Sequence, residues 1–331
     1  MHELQFLILT VIVLALLFDF INGFHDTANA IATSVSTRAI KPAHAIIMAA
    51  ALNFLGASYS TGVAKTIGGD IVASAEMVDE HIIIAALMGS IVWNLFTWYV
   101  AMPSSSSHAL VGGIIGAVLV STGSTGLNFI GIGKIVLSLI ASPLLAIFSG
   151  FIVMTVLFLL FGRFAPSALN GRFKKMQILS AATMAFSHGS NDAQKSMGII
   201  TLALLSGGYL SSFEVPDYVK FLCAAAMACG TALGGWRIIR TIGGKIFKLE
   251  PISGFAADLN SSIVIFSATL LHLPVSTTHV VSGSIMGVGT AKRIRAVRWG
   301  VAQQMLVAWV LTIPCTAVMG ALAYQIVLWI F

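Results

Sequence analysis

Apolar stretches long enough to cross a lipid bilayer recur from one end of this sequence to the other, and nothing else restricts its fold so strongly. The runs at about 4–24 and 130–161 each reach the ~20 residues that span a hydrocarbon core. Backbone groups in lipid must be bonded internally, so such spans are helices or a closed barrel. The runs are continuous rather than alternating, which selects helices. Only 9% of the 331 residues are charged and 57% are hydrophobic, against about a quarter charged in a soluble domain. That leaves too little polar surface to cover a water-facing globule. The reading is an all-α polytopic membrane protein whose first partner is the lipid bilayer.

The net charge of +6 does not indicate nucleic acid, because the basic residues fall in short segments between apolar runs, where they report topology. Cys223, Cys229 and Cys315 lie inside apolar segments and show neither a disulfide framework nor metal spacing. The first apolar run has no basic leader and no small-residue cleavage site, so it reads as a retained span.

The chain repeats itself. Pro103-Ser104-Ser105-Ser106-Ser107-His108 resembles Pro274-Val275-Ser276-Thr277-Thr278-His279, 171 positions later. At the same offset Gly112, Gly116 and Pro143 match Gly283, Gly287 and Pro314. Lys65-Thr66-Ile67-Gly68-Gly69 resembles Arg240-Thr241-Ile242-Gly243-Gly244, and Asp26 precedes Asp192 by 166 positions. Pairs in the same order at nearly constant spacing mark a duplication. The halves read as 1–162 and 178–331, joined by a basic connector at 163–177 that carries Arg163, Arg172, Lys174 and Lys175 without an acid.

Basic loops belong to the cytoplasm. Placing the connector there and counting spans leaves the 64–80 loop outside, with Asp70, Glu76, Asp79 and Glu80 against one Lys65. Its counterpart, 237–251, falls inside with Arg237, Arg240, Lys245 and Lys248. Equivalent loops on opposite sides describe an inverted-topology repeat, an architecture of secondary transporters. Both termini are then outside.

Each half holds two polar interruptions. The first is Asn22-Gly23-Phe24-His25-Asp26-Thr27-Ala28-Asn29, matched by Ser187-His188-Gly189-Ser190-Asn191-Asp192-Ala193-Gln194-Lys195-Ser196. Ionisable groups inside a bilayer cost several kcal/mol unless they line a cavity or find a partner. Gly23 and Gly189 predict that each helix breaks there and unwinds. The second interruption is the proline-hydroxyl-histidine motif. A helix start offers unpaired N–H groups and the positive end of the dipole, and the Ser and Thr hydroxyls add donors suited to a tetrahedral oxyanion. No Lys, Arg, Asp or Glu occurs between Ile82 and Ser104 or between Leu259 and Pro274, so two re-entrant helical hairpins are expected at about 81–121 and 253–290. His108 and His279 read either as proton-carrying or anion-contacting groups or as histidines bonded to a nearby carbonyl. Gly112-x3-Gly116 and Gly283-x3-Gly287 read as helix packing. Asp19, Asn53, Asn94 and Gln303-Gln304 read as interhelical hydrogen-bonding groups, with Asp19 also a candidate for the coupling site.

These four motifs, in this order, resemble the PiT family of inorganic phosphate transporters across nearly the whole chain. The resemblance implies an inverted-repeat symporter importing phosphate, free or as a metal–phosphate, by alternating access. It also implies a homodimer, a bacterial plasma (inner) membrane location, no enzymatic activity and no cofactor beyond a coupling ion, H⁺ or Na⁺. Phosphate ligands are then expected from Asn29, Ser104, Ser105, Ser106, Ser107, Asn191, Gln194, Ser276, Thr277 and Thr278. Asp26, His25, Asp192 and Lys195 are expected to handle the coupling ion, with Asp26 and Asp192 as metal ligands if that ion is sodium. The sodium-coupled pattern has Asn-Asp followed by an Asn three positions later in both halves. Here His25 precedes Asp26 and Lys195 follows Asp192, as in the bacterial low-affinity branch, which is similar to proton-coupled carriers. A Lys ammonium beside Asp192 would stand where a sodium ion could sit, so proton coupling is favoured over sodium. A sulfate permease of the same fold is disfavoured because sulfate cannot donate a hydrogen bond to an aspartate at neutral pH. An intramembrane hydrolase using Ser107 and His108 is disfavoured because adjacent helical residues do not face each other.

Overall fold

The computed structural model describes residues 2–233 and 236–330. The side chains of Arg237 and Arg240, counted above with the basic loops, and of Thr27 and Ala28 lie outside the described residues. Among the described residues the chain is helical, with one isolated bridge between Val72 and Leu127 in place of any sheet. The first half contributes α1 (His2–Ser36), α2 (Pro42–Ala57), α3 (Gly62–Gly69), α4 (Glu80–Tyr99), α5 (Ser106–Ser121) and α6 (Phe129–Phe161). The second contributes α7 (Pro166–Ser206), α8 (Asp217–Leu233), α9 (Trp236–Gly244), α10 (Pro251–Leu270), α11 (Thr277–Lys292) and α12 (Trp299–Ile330). Starts are set by local chemistry. Pro42, Pro166 and Pro251 open their helices, where no N–H partner is needed. Asp79 and Asn128 cap α4 and α6 by accepting from Ile82 and Gly131 N–H.

Helices α1, α4, α6 and α12 are each long and apolar enough to cross a bilayer, and α2 with α3, bent by 73°, makes a fifth such unit. Polar residues at the middle of α7 keep it out of that group, yet residues 187–204 of α7 are almost all buried within the protein. The basic stretch 163–177 is mostly the opening turns of α7 rather than a loop, and the 64–80 and 237–251 segments begin with the short helices α3 and α9.

Both hairpins form as expected, α4 with α5 and α10 with α11, and they turn by the same device. Ala101 and His272, 171 positions apart, hold left-handed φ of 55° and 59°. Met102 N–H reaches Thr97 O at 2.9 Å and Ala101 N–H reaches Trp98 O at 3.1 Å; Leu273 and His272 repeat this on Ala268 and Thr269 at 2.9 and 3.0 Å. That is a Schellman cap, which satisfies the last carbonyls of the first helix. Pro103 and Pro274 then forbid its continuation, and Ser105 and Ser276 cap the second helix by accepting from the N–H of His108 and His279. The braces come from the opposite half: Thr66 of α3 donates to His272 O at 2.8 Å, and Thr241 of α9 to Ala101 O at 3.4 Å.

The helices do not unwind at Gly23 or Gly189; α1 and α7 run through them without interruption. The glycines serve close approach instead. A Cβ on Gly23 would run into the Met227 carbonyl of α8, and one on Gly189 into the Asn53 carbonyl of α2. Gly116 and Gly287 stand in the same relation to the backbones of α12 and α6, the packing role expected of their motifs. Each half thus packs through glycine onto the other: α1 on α8 and α2 on α7, α5 on α12 and α6 on α11. Gln303 and Gln304, expected to be buried, are exposed on α12.

Candidate functional site

The two hairpin turns meet at the middle of α1 and α7. Ser104 to Ser107 and Ser276 to Thr278 are at most 1% exposed. Ser107 Oγ donates across the junction to Val275 O at 2.9 Å, and the rings of His108 and His279 lie against each other with centroids 4.5 Å apart, tilted by 41°. The N-termini of α5 and α11 therefore open onto a common centre, each bringing unpaired amides and a positive dipole end.

Two carboxylates stand at that centre. Ser106 Oγ lies 2.6 Å from Asp26 Oδ2 and 2.7 Å from Asn22 Oδ1. Thr278 Oγ1 donates to Asp26 Oδ1 at 3.0 Å and accepts from Asn29 Nδ2 at 2.8 Å. His25 Nδ1 approaches Asp26 Oδ1 to 2.9 Å. On α7, Lys195 Nζ bonds Asp192 Oδ1 at 2.7 Å with both side chains wholly buried, and Thr277 Oγ1 donates to Asp192 Oδ2 at 3.2 Å. The arrangement follows the repeat: Ser106 is to Asp26 as Thr277 is to Asp192. It departs from the repeat at Lys195, which occupies the position of Asn29.

The remaining expected ligands are positioned differently. Asn191 braces the α10–α11 turn, donating to Thr269 Oγ1 and Leu273 O and accepting from Val275 N–H. His25 reaches Thr97 Oγ1 at 3.2 Å in the matching place of the first half. Ser104 receives Trp93 Nε1–H and pairs with Thr312 of α12, both at 3.0 Å. Gln194 is turned away from the centre: its Oε1 accepts from Val63 and Ala64 N–H at 2.7 and 3.1 Å, capping α3. The reason is helical geometry, since a residue two positions after Asp192 points to a different face. His108 Nδ1 bonds Ser105 Oγ at 2.8 Å and His279 stacks on Trp309 at 3.9 Å, so neither leans on the backbone carbonyl expected for a structural histidine. Asn53 does make the expected interhelical bonds, to Thr231 and His188. Asp19 does not: both its carboxyl oxygens are without hydrogen bonds.

His188 and Asn22 belong to the centre although neither was among the expected ligands. One donor atom each from Asp26, His188 and Asp192 falls within 4.8 Å of the others, a spacing at which a small cation could be shared. Both residues sit one helical turn before an aspartate, and that i, i+4 spacing was the available signal. Asp258 is a further buried carboxylate, bonded to Thr33 of α1 at 2.5 Å, in apolar text that hid it.

A profile of the phosphate transporter family matches residues 22–320. The chain belongs to the phosphate transporter family. It is 51% identical over its whole length to a probable low-affinity inorganic phosphate transporter of Bacillus subtilis (strain 168), which it also covers completely. It is 46% identical to one of Rhizobium meliloti (strain 1021), with 96% of each chain covered. Among solved structures it resembles one titled the sodium-dependent phosphate transporter, with a TM-score of 0.90 and 26% identity over 98% of this chain and all of that one. The family is one of transporters, not enzymes, and this member has the multi-pass apolar helices that such a role requires.

Proposed function

We propose that this phosphate transporter imports inorganic phosphate by proton symport through alternating access. The observation that carries the proposal is the convergence of two serine- and threonine-bearing helix starts on Asp26 and Asp192. The hydroxyls of Ser104 to Ser107 and Ser276 to Thr278, with the adjacent amides, supply donors for an oxyanion. Phosphate alone would be repelled by the two carboxylates, so the site favours the anion only when a proton or cation is present. That difference in affinity is the physical basis of coupling.

The two halves act as inverted repeats with both termini outside, rocking about the junction of the hairpin turns, and the protein works as a homodimer. Lys195 supports proton over sodium. Its ammonium, fixed 2.7 Å from Asp192, takes up the carboxylate oxygen that a sodium ion would otherwise use. Sodium coupling remains the second reading, favoured by the convergence of Asp26, His188 and Asp192.

The test is labelled phosphate uptake by the purified chain in proteoliposomes. Accumulation under an inwardly directed proton gradient without sodium is expected. Accumulation under a sodium gradient alone would replace the proton reading with the sodium one, and none under either would refute phosphate import.

A further inference from the structure

Asp19 lies two helical turns before Asp26 on a buried stripe of α1 formed by Asp19, Asn22, Asp26 and Asn29, all at most 2% exposed. The spacings of three and four residues put these groups on one face of the helix. Three of the four hold a partner among the groups described above. Asp19 holds none: its side chain is 0% exposed and neither carboxyl oxygen has a hydrogen bond.

Its surroundings are built from three helices. The Ser196 hydroxyl of α7 faces it and is itself buried without a partner, and the Cys223 thiol of α8 faces it from the other side. Asp192 and Lys195 of α7 lie within electrostatic reach. On α4, which also packs against α1, the buried ionisable group is Glu80 at the helix start, near Gly207. The cation within that reach, Lys195, is committed to Asp192 at 2.7 Å.

A charged carboxylate in such a setting has only a hydroxyl and a thiol facing it without a formed hydrogen bond, and shares its one reachable ammonium with Asp192, whereas the protonated acid leaves far less unsatisfied. We propose that Asp19 is the proton-carrying carboxyl of the transport cycle, an inference that rests on the phosphate–proton symport reading. With the proton on Asp19, Lys195 stays on Asp192 and the centre keeps the charge balance that admits phosphate. When Asp19 releases the proton, its new negative charge competes with Asp192 for the Lys195 ammonium. The phosphate site loses part of its positive field, and the anion leaves on the side where the proton left. No covalent bond other than the carboxyl O–H forms or breaks. Asp26 and Asp192, already surrounded by hydroxyls, a histidine and an ammonium, hold the anion site in register and need not take up the proton.

Full-length wild type, Asp19→Asn and Asp19→Glu are reconstituted into liposomes. Two quantities are read: phosphate accumulation driven by a proton gradient, and exchange of labelled for unlabelled phosphate at equal pH. Asp19→Asn should lose accumulation to the level of empty liposomes yet keep exchange, and Asp19→Glu should recover accumulation. Gradient-driven accumulation by Asp19→Asn overturns the proposal. Loss of exchange together with accumulation also overturns it, because it assigns Asp19 a structural part. A wild type that moves no phosphate refutes the function proposed above, a result distinct from both.

Discussion

The Lys195–Asp192 pair offers a direct way to ask whether a fixed ammonium does the work of a bound cation. Replacing Lys195 by Asn installs the amide that Asn29 provides at the matching position of the first half. Asp192 would then keep the Thr277 hydroxyl at 3.2 Å and His188 at 3.5 Å but no committed cation, in a site with no solvent exposure. Breaking one side of a buried pair costs about 3–5 kcal/mol, because the remaining charge is left unpaired. At about 1.4 kcal/mol per factor of ten, the competent state should fall by roughly two to four powers of ten unless another cation replaces the ammonium. The assay is the initial rate of labelled phosphate uptake in proteoliposomes, in choline and in sodium media. Wild type should be indifferent to the choice. Lys195→Asn should be nearly inactive in choline and partly restored by sodium. Wild-type uptake by the variant in choline would refute the reasoning, and a loss that sodium does not repair would show that the ammonium is not standing in for an ion.

Other substitutions test other parts of the argument. Asp26→Asn and Asp192→Asn should each abolish phosphate uptake while the protein still reaches the membrane fraction, since Ser106 and Thr278 at Asp26, and Thr277 and Lys195 at Asp192, would lose the acceptor charge they bond. Gly23→Val and Gly189→Val should lower the melting temperature of the solubilised protein by forcing apart α1 and α8, or α7 and α2, an overpacking cost of about 1–3 kcal/mol. Gly133→Val, which meets open space, is the control. Gln194→Ala unpairs Val63 and Ala64 N–H and should cost about 1 kcal/mol, seen as faster hydrogen exchange confined to α3.

Much of the hairpin geometry could be read residue by residue. Proline followed by hydroxyls, without charge before it, identifies a helix start that cannot face water, and both hydroxyl-bearing starts lie buried as that reasoning required, although Val100 and Leu271 in the turns just before them are exposed. The readings that failed share one cause. Gly23 and Gly189 look like breakers because glycine permits unwinding, but glycine equally permits contact. Only the neighbouring helix, with its backbone against the missing Cβ, settles which use applies. Gln194 looked like a ligand because it stands beside Asp192 in the chain. Helical rotation points it to α3 instead, and the chain text carries no sign that α3 would be there.

Membership of the bilayer, the helical character, the duplicated motifs and the polar residues that could bear chemistry were all legible without coordinates. Each follows from composition or from spacing along one chain, and local rules govern both. Which polar groups share a centre was decided by packing between halves more than 150 residues apart, as when Thr278 bonds Asp26 and Asn29. The same packing left the Asp19 carboxyl oxygens without a hydrogen bond while giving Asp192 a lysine, although both are aspartates in apolar helices. A sequence specifies the groups; the cost of burying a charge depends on what stands across from it, and that is a property of the folded neighbourhood.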